Sequence, residues 1–326
     1  MTMPISWAPA DPMEPITYSP CNVCPRECGV DRNSGPSFCG VLAELMAAKA
    51  MIHKGEEPCL IGIKENESKT FDPQTGEGRF GAGAVFFSGC NLRCVFCQNH
   101  QISGEAYGKV ISKERLCEIL LELQEEGAAC IDLVTPTHYL PTVAKVLAQV
   151  KPKLVIPVVY NCGGYEKVES LRMLEGLVDI YLPDLKYYSR ELSGRYSAAP
   201  DYFEKASEAL KEMFRQTGPC SFDQDGQMKK GVLVRHLVLP GASHDSEKLM
   251  DFLGTEFPKG TVHVSLLRQY TPYASVNDYP EIDRRITGLE YERVVDRALS
   301  NGLPGFRQGK SAATMELLPT FDLSGL

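Results

Sequence analysis

Continuous apolar runs alternate with amphipathic segments between residues 84 and 270. Runs that lack a polar face and are rich in Val, Ile and Leu are typical of parallel strands buried on both sides. They therefore predict six strands of a parallel sheet. The runs are "AVFFSG" (84–89), "CIDLVTP" (130–136), "LVIPVVYN" (154–161), "VDIYLPDL" (178–185), "VLVRHLVLP" (232–240) and "TVHVSLLRQY" (261–270).

The segments between these runs have helical periodicity. In "ISKERLCEILLELQEEGA" (111–128) one apolar stripe is formed by Leu116, Ile119, Leu120 and Leu123, with Ser112 as the predicted N-cap and Gly127 as the stop. Further helices are predicted within 141–150, 165–177, 202–216 and 246–257. Six βα units wound with right-handed crossovers fit either a doubly wound sheet or an open barrel, and eight would close a full barrel. We expect an α/β fold, a partial (β/α)6 barrel.

The chain divides into three predicted parts. Residues 1–79 lack βα alternation and form a separate Cys-rich extension, and residues 80–275 form the barrel. Residues 276–326 hold a C-terminal helix, predicted over 281–302, and an extended tail.

Composition narrows the class of protein. The 326 residues include 34 basic and 42 acidic side chains, a net charge of −8 that argues against a broad nucleic-acid-binding surface. No apolar stretch reaches the 18 or so residues that span a bilayer, and "MTMPISWAPADP" does not resemble a signal peptide. We therefore expect a cytoplasmic protein with no membrane partner. Its 12 cysteines then favour metal binding or chemistry over disulfides.

Three cysteines follow the first predicted strand in "SGCNLRCVFCQN". Cys90, Cys94 and Cys97 therefore lie at the carboxyl end of the sheet, where parallel α/β folds place their active sites. Buried structural cysteines fit poorly among these polar neighbours, and structural zinc normally has four ligands in paired C-x2-C knuckles. An iron–sulfur cluster held by three thiolates would leave one iron open to bind and reduce another molecule.

The spacing C-x3-C-x2-C, with Phe96 before the last cysteine, resembles the signature of the radical S-adenosylmethionine (SAM) superfamily. Together with "TPTHYLP", "VVYNCGGYE", "VDIYLPDLKY", "VRHLVLPG" and "GFRQ", it resembles the pyruvate formate-lyase activating enzyme-like (PflX-type) branch over most of residues 21–310. The resemblance implies a [4Fe-4S] cluster on Cys90, Cys94 and Cys97, whose open iron chelates SAM. It also implies reductive cleavage of SAM to a 5′-deoxyadenosyl radical, with flavodoxin or ferredoxin as electron donor.

The resemblance also implies where SAM would bind. Related proteins have a Gly-Gly-Glu turn after the second strand, where this chain has Thr135-Pro136-Thr137-His138, so the two threonines are candidate substitutes. "CGGYE" (162–166) follows the third strand instead, either as a second source of those groups or as a tight turn with Gly163 and Gly164 at positive φ. The candidate cofactor-binding residues are Phe96, Thr135, Thr137, Asn161, Asp184, Lys186 and Arg235.

Three of these residues are charged within apolar strands. Asp184 and Lys186 lie two apart and so face the same side, as a structural ion pair or as contacts to SAM and substrate. Arg235 needs an anionic partner, for which the SAM carboxylate is suited. His236 faces the opposite side, towards a helix, while His138 and Gln269 are candidates for substrate contact.

A second cysteine group lies in the N-terminal extension. Cys21, Cys24, Cys28 and Cys39 form a C-x2-C-x3-C-x10-C arrangement, a complete set of four ligands. Structural zinc and a second iron–sulfur cluster that relays electrons are both compatible with it.

These features predict a radical SAM oxidoreductase that abstracts hydrogen from its substrate. An open barrel would admit a partner protein, which the enzyme would activate as a glycyl radical. The alternatives are a radical transformation of a small molecule or peptide, and a non-catalytic iron–sulfur electron carrier.

Overall fold

The computed structural model describes residues 15–62, 71–72, 77–272, 276–309 and 319–326. The N-terminal stretch on which the absence of a signal peptide was argued lies outside these residues. The strands are β1 Met46–His53, β2 Ala82–Phe87, β3 Lys109–Val110, β4 Cys130–Val134, β5 Val158–Cys162, β6 Ile180–Pro183, β7 Ser221–Phe222, β8 Met228–Leu237, β9 His263–Leu267 and β10 Gly305–Arg307. The α-helices are α1 Pro58–Ile61, α2 His100–Ser103, α3 Lys113–Glu125, α4 Leu140–Val150, α5 Val168–Arg172, α6 Arg190–Ser197, α7 Tyr202–Thr217, α8 Ser243–Glu256 and α9 Gly288–Ser300.

One sheet organises the molecule, with the strand order β10-β9-β8-β6-β5-β4-β2-β1-β3. Neighbours from β2 to β10 along this path are parallel, whereas β1 pairs antiparallel with β2 and with β3. The predicted partial barrel is confirmed, and its six predicted strands correspond to β2, β4, β5, β6, β8 and β9. Within the described residues no ladder joins β10 to β1 or β3, so the sheet is an open barrel.

The inward face of the barrel follows from strand register. Asp132 on β4 pairs with Ala84 on β2 and with Val159 on β5, so these three side chains share one face. The same parity brings Asn161 on β5 and Arg235 on β8 to that face. The opposite faces pack against the helices in the main core, where Val85, Leu133, Tyr160 and Val234 are buried.

The N-terminal segment enters the barrel, which its sequence does not predict. After β1 the chain turns inward, and Cys59 and Leu60 of α1 pack in one buried cluster with Cys130, Ile180 and Leu233. These strand residues face the lumen near the amino ends of the strands. Residues 54–62 therefore form a lumen plug, the name used for them below. The division at residue 79 stays a prediction, although this part of the extension completes the barrel floor.

Several helices differ from their predicted bounds. The predicted cap of α3 is present, since the Ser112 hydroxyl accepts from the Arg115 amide. The C-terminal helix was predicted to begin at residue 281, but α9 begins later because Thr287 and Glu290 form a capping box. The segment 165–177 forms only the short α5, and α6 was not predicted at all.

The chain after α9 completes one edge of the sheet. β10, also missed by the sequence analysis, pairs parallel with β9, so it is a seventh parallel strand and α9 lies in the sixth crossover. Residues 319–326, called the tail below, run along β1, where Leu323 donates to the Ala48 carbonyl at 3.1 Å and Ala50 donates to the Ser324 carbonyl at 3.0 Å. Phe321 packs edge-to-face on Phe86, with ring centroids 5.5 Å apart. Among the described residues, no helix combines the length and apolar character needed to cross a bilayer.

Candidate active site

The cysteine loop begins where β2 ends, as predicted, and it lies directly on the N-terminal extension. Gly89 has φ of +86°, and a Cβ atom there would lie 2.7 Å from the Cys39 carbonyl oxygen. The next amide, that of Cys90, donates to the same oxygen at 3.2 Å. Only glycine permits this approach, which fixes the start of the loop against the second cysteine group.

Each sulfur of the loop has a hydrogen-bond donor beside it. The Leu92 amide contacts the Cys90 sulfur at 3.4 Å. Ser197 of α6 donates to Cys94 at 3.0 Å, and the Ser103 hydroxyl donates to Cys97 at 3.2 Å. Burial raises the pKa of Cys94, and Lys186 opposes that rise. Lys186 thus offsets part of the cost of a charged sulfur at the buried Cys94.

The loop suits a cluster better than a single ion. Among the described residues, no three His, Cys, Asp or Glu side chains converge as one metal ion requires. A tetrahedral zinc with bonds of about 2.3 Å would bring its sulfurs within roughly 3.8 Å of one another. In an iron–sulfur cluster each cysteine binds a different iron, so its sulfurs stand farther apart. Three thiols with three donors fit that group, and they would leave one iron without a protein ligand.

A chain of ion pairs leads from the cysteine loop into the lumen. Lys186 donates to Asp184 at 2.6 Å, and Arg235 donates to the other oxygen of Asp184 at 3.0 Å. Burial alone would raise the pKa of Asp184, but Lys186 and Arg235 hold it below its usual value. Arg235 also contacts Glu56 at 3.2 Å and Asn161 at 2.6 Å. The anionic partners of Arg235 are therefore the protein's own carboxylates, where the sequence analysis expected the SAM carboxylate.

Three lumen carboxylates were missed by the sequence analysis. Glu56 and Glu57 come from the lumen plug, and Glu57 accepts from the Ser265 hydroxyl at 2.8 Å. Burial and the neighbouring Glu56 raise the pKa of Glu57 to about 7. Asp132 on β4 is fully buried, and burial, followed by Glu56, raises its pKa. A lone aspartate in the apolar run "CIDLV" is the same kind of signal that identified Arg235, so Asp132 could have been found.

The two threonines of the segment Thr135-Pro136-Thr137-His138 make different contacts. Thr135 has a positive φ of 59°, and its amide donates to the Asn161 carbonyl at 2.8 Å. Thr137 is buried and donates to Glu166 at 2.6 Å. Glu166 also accepts from Tyr160 at 3.1 Å, and burial raises the pKa of Glu166 to about 7. Thr137 and Glu166 thus satisfy each other's hydrogen-bonding groups, and both lie away from the lumen.

The turn before Glu166 agrees only in part with its prediction. Gly164 has φ of +79°, while Gly163 is not among the glycines at positive φ. A Cβ at Gly164 would lie 2.1 Å from the Asp184 carbonyl oxygen. The glycine is therefore needed for close approach to the strand that carries Asp184 and Lys186.

The lumen holds a cavity at the carboxyl ends of the strands. Gln269 lines it, as expected for substrate contact, and the tail contributes Pro319. Phe96 is buried next to the cysteine loop, with its ring 5.9 Å from that of Tyr270. His138 lies elsewhere, bonded to the Ser88 carbonyl at 2.7 Å. The polar side chains around the lumen cavity are His53, Glu56, Glu57, Gln98, Asn99, Asn161, Arg235, Gln269 and Gln308.

The N-terminal cysteines share a second cavity. Cys21, Cys24, Cys28 and Cys39 all line it. Arg32 also lines this cavity with no exposed surface, and its guanidinium donates to the carbonyls of His138 and Leu42. Within the described chain Arg32 forms no salt bridge, so the cysteine sulfurs are the groups beside it that could carry balancing charge. Burial raises the pKa of Cys21, against the effects of the Val23 amide and Arg32.

The chain is similar to several known proteins in sequence or in structure. Over 291 residues the chain is 28% identical to an uncharacterized protein of Methanocaldococcus jannaschii, covering 86% of this chain and 75% of that protein. A radical SAM methyltransferase from Sphaerobacter thermophilus superposes with a TM-score of 0.48 at 13% identity, covering 70% of this chain and 67% of that one. SuiB of Streptococcus suis bound to S-adenosylmethionine superposes with a TM-score of 0.48 at 14% identity, covering 71% of this chain and 51% of that one.

A domain of pyruvate-formate lyase-activating enzyme from Bacteroides vulgatus gives a TM-score of 0.39 at 11% identity, covering 52% of this chain and 92% of that one. The model of the Radical SAM superfamily matches residues 84–253, just over half of the chain. That stretch contains the three-cysteine loop, the Asp184–Lys186 pair and Arg235. The chain belongs to the radical SAM superfamily.

Proposed function

We propose that this protein cleaves SAM reductively and uses the resulting radical to abstract a hydrogen atom from a small molecule bound in the lumen. Cys90, Cys94 and Cys97 would hold a [4Fe-4S] cluster, and flavodoxin or ferredoxin would donate the electron. The chemistry that the cluster and SAM supply together is one-electron cleavage of the sulfonium to methionine and a 5′-deoxyadenosyl radical. The observation that carries the proposal is the bonded series Lys186, Asp184 and Arg235, whose lysine is close enough to the cysteine loop for its charge to oppose the rise in the pKa of Cys94 that burial causes.

The chain's own residues would orient the reactants along this bonded series. Lys186 stands nearest the cysteine loop and is suited to an anionic group, such as the SAM carboxylate. Asn161 and Asp184 offer oxygens to the ribose or amino group, and Thr135 begins the turn where relatives contact that amino group. Phe96 would pack against the bound cofactor. Burial of these groups excludes water from the space in which the radical forms.

A small substrate is favoured over a protein because the chain itself closes the lumen. The lumen plug fills the floor, and the tail lies along the β1 edge that an open barrel would leave bare. A glycyl loop of a partner protein could enter from that side only by displacing Phe321 from Phe86. Activation of a glycyl radical in a partner protein therefore stays the competing hypothesis.

Anaerobic reconstitution tests the chemistry. Chain reconstituted with iron and sulfide, then given SAM and dithionite, should release 5′-deoxyadenosine, and the Cys94→Ala variant should not. Cys117→Ala, on a helix remote from the loop, is the matched control and should behave as wild type. A non-catalytic electron carrier would release none of the nucleoside in any variant. Transfer of deuterium from a glycine-labelled partner protein into 5′-deoxyadenosine would instead support the glycyl-radical hypothesis.

We also propose that Cys21, Cys24, Cys28 and Cys39 hold an iron–sulfur cluster. The four cysteines line one cavity, as the ligands of one metal group would. The buried, unpaired charge of Arg32 favours an anionic metal–thiolate group beside it. Two [4Fe-4S] clusters hold roughly eight irons per chain, and Cys24→Ala should halve the iron that wild type binds. Zinc in place of that second half of the iron would contradict the proposal.

A further inference from the structure

The lumen cavity is enclosed by segments from both ends of the described chain. The plug brings Glu56 and Glu57 to its floor, and the tail brings Pro319 to its side. Gln98 comes from the cysteine loop, so the same cavity adjoins the proposed cluster. A molecule bound here would be small and close to the radical.

The charged groups around this cavity are predominantly acidic. Glu56, Glu57 and Arg235 line the cavity, together with His53, whose pKa burial lowers. Asp132, Asp184 and Lys186 are bonded to Asn161 or Arg235 or to each other, so the lumen network has four carboxyl groups against the two cations Lys186 and Arg235. Arg235 is shared between Asp184 and Glu56, and Lys186 is bonded to Asp184. Within the described residues Glu57 and Asp132 form no salt bridge of their own, although the charge of Arg235 acts to lower the pKa of both. Both are deeply buried, where an unpaired carboxylate is costly.

Asp132 also has an oxygen without a partner. Its Oδ2 accepts from the Asn161 amide at 3.2 Å, whereas its Oδ1 is buried and unbonded. Asp132 faces the lumen on β4, one inward-facing position below Val134, which lines the cavity. In the carboxylate form of Asp132, which a bound cation would favour, the orphan oxygen is an acceptor, so a ligand that satisfies it must bring a donor.

We propose that the lumen cavity binds a small substrate through a primary ammonium group, which Glu57 and Asp132 receive. An ammonium has one positive charge and three N–H donors. Its charge would balance a carboxylate, and one of its donors would satisfy the unbonded oxygen of Asp132. The amide side chains of Gln98 and Gln269 would contact the uncharged part of the molecule. The inference rests on the proposed function, since it names the substrate class of the same site.

SAM itself carries an ammonium group, so the test keeps SAM present at saturation. Reconstituted full-length protein is titrated calorimetrically with putrescine and L-lysine as ammonium probes. The matched controls are 1,4-butanediol and succinate, which have four-carbon chains without the ammonium. At least one ammonium probe should bind tenfold or more tightly than either control. Equal or weaker binding of both ammonium probes would overturn the inference, even while SAM cleavage by the same sample upholds the proposed function.

Two variants locate the binding. Glu57→Gln and Asp132→Asn remove charge with little change of shape, and each should weaken binding of the ammonium probe at least tenfold. Glu118→Gln, on the exposed face of α3, is the control and should bind as wild type does. Wild-type affinity in both lumen variants would overturn the assignment. The comparison of probes on wild type decides the inference if a variant fails to fold.

Discussion

Gly164 shows how a single position sets the geometry of the proposed site. Its positive φ of 79° allows the turn after β5 to lie against the backbone of Asp184, the residue that joins Lys186 to Arg235. Tyr202 reinforces the same junction, since its hydroxyl bonds both the Gly163 and the Asp184 carbonyls. Moving this turn would move the ion pair.

We predict that Gly164→Ala lowers the free energy of unfolding by roughly 3 kcal/mol, because it combines positive-φ strain with a backbone clash. Gly163→Ala is the matched control. A Cβ there meets the end of the Leu92 side chain at 2.9 Å, which can move. Denaturant unfolding of the two variants measures the difference. Equal losses would mean that the turn tolerates a side chain at residue 164.

At the scale of residues, the sequence could identify a buried charged side chain but could not identify its partner. Arg235 was identified because a guanidinium inside an apolar strand needs an anion, and that reasoning was sound. Its partner Glu56 could not be found in the same way, because Glu56 lies in a segment with no periodic pattern. Only the fold of the plug brings that carboxylate within 3.2 Å of Arg235.

At the scale of elements, β8 and α8 are joined through His236. Its Nδ1 contacts the Leu185 carbonyl at 2.6 Å, and its Nε2 contacts the Ser246 hydroxyl of α8 at 2.8 Å. Burial lowers the pKa of His236 from 6.5 to about 4. The residue faces a helix, as the sequence parity predicted.

This link should make stability depend on pH. Between pH 6.5 and about 4 the unfolded chain binds a proton at His236 that the folded chain does not, so this contribution is lost as pH falls. We expect the stability advantage of wild type over His236→Gln to shrink by up to about 3 kcal/mol between pH 7 and pH 4. Urea unfolding of both proteins across this range checks it. A constant difference would contradict the lowered pKa.

The lumen plug is held by apolar burial. Leu60 has no exposed surface and packs among inward-facing strand residues. Leu60→Ala should cost about 2 to 5 kcal/mol, the usual range for a buried leucine. Leu289→Ala, at a residue that is 83% exposed, should cost under about 0.5 kcal/mol. Thermal and denaturant unfolding of the pair test whether the plug is part of the core.

The elements that sequence predicted are those with a strong local signal. The six parallel strands are predominantly apolar because both of their faces are covered, and α3 has both a cap and a stop signal. β1, α1 and β10 lack such signals: β1 is an antiparallel strand rich in alanine, and the other two are too short to show a period. Their places depend on contacts with distant strands.

At the scale of the whole molecule, the tail joins the C-terminal residues to the N-terminal half. Besides its backbone bonds to β1, it places Asp322 and the Thr320 carbonyl around Lys49 at 3.1 and 2.7 Å. These contacts lie at the edge of the fold, so they should open without unfolding the barrel.

We predict that Phe321→Ala increases hydrogen exchange at the Ala50 amide, which donates to Ser324, while global stability changes by less than about 1 kcal/mol. The amide of Ile131, which donates to the Pro157 carbonyl inside the barrel, is the internal control and should exchange at its wild-type rate. Exchange followed by mass spectrometry or NMR distinguishes the two sites. Faster exchange at both would show that the tail and the barrel open together.

The hydrogen bond from the Cys90 amide to the Cys39 carbonyl has a practical consequence. The two cysteine groups are in direct backbone contact, and there is no room for a side chain at Gly89 between them. If Cys21, Cys24, Cys28 and Cys39 hold the proposed cluster, its loss to oxygen during purification would therefore also disturb the loop on which the proposed chemistry depends. Material handled in air should lose both together, and an inactive preparation says little about the enzyme until its N-terminal group has been restored.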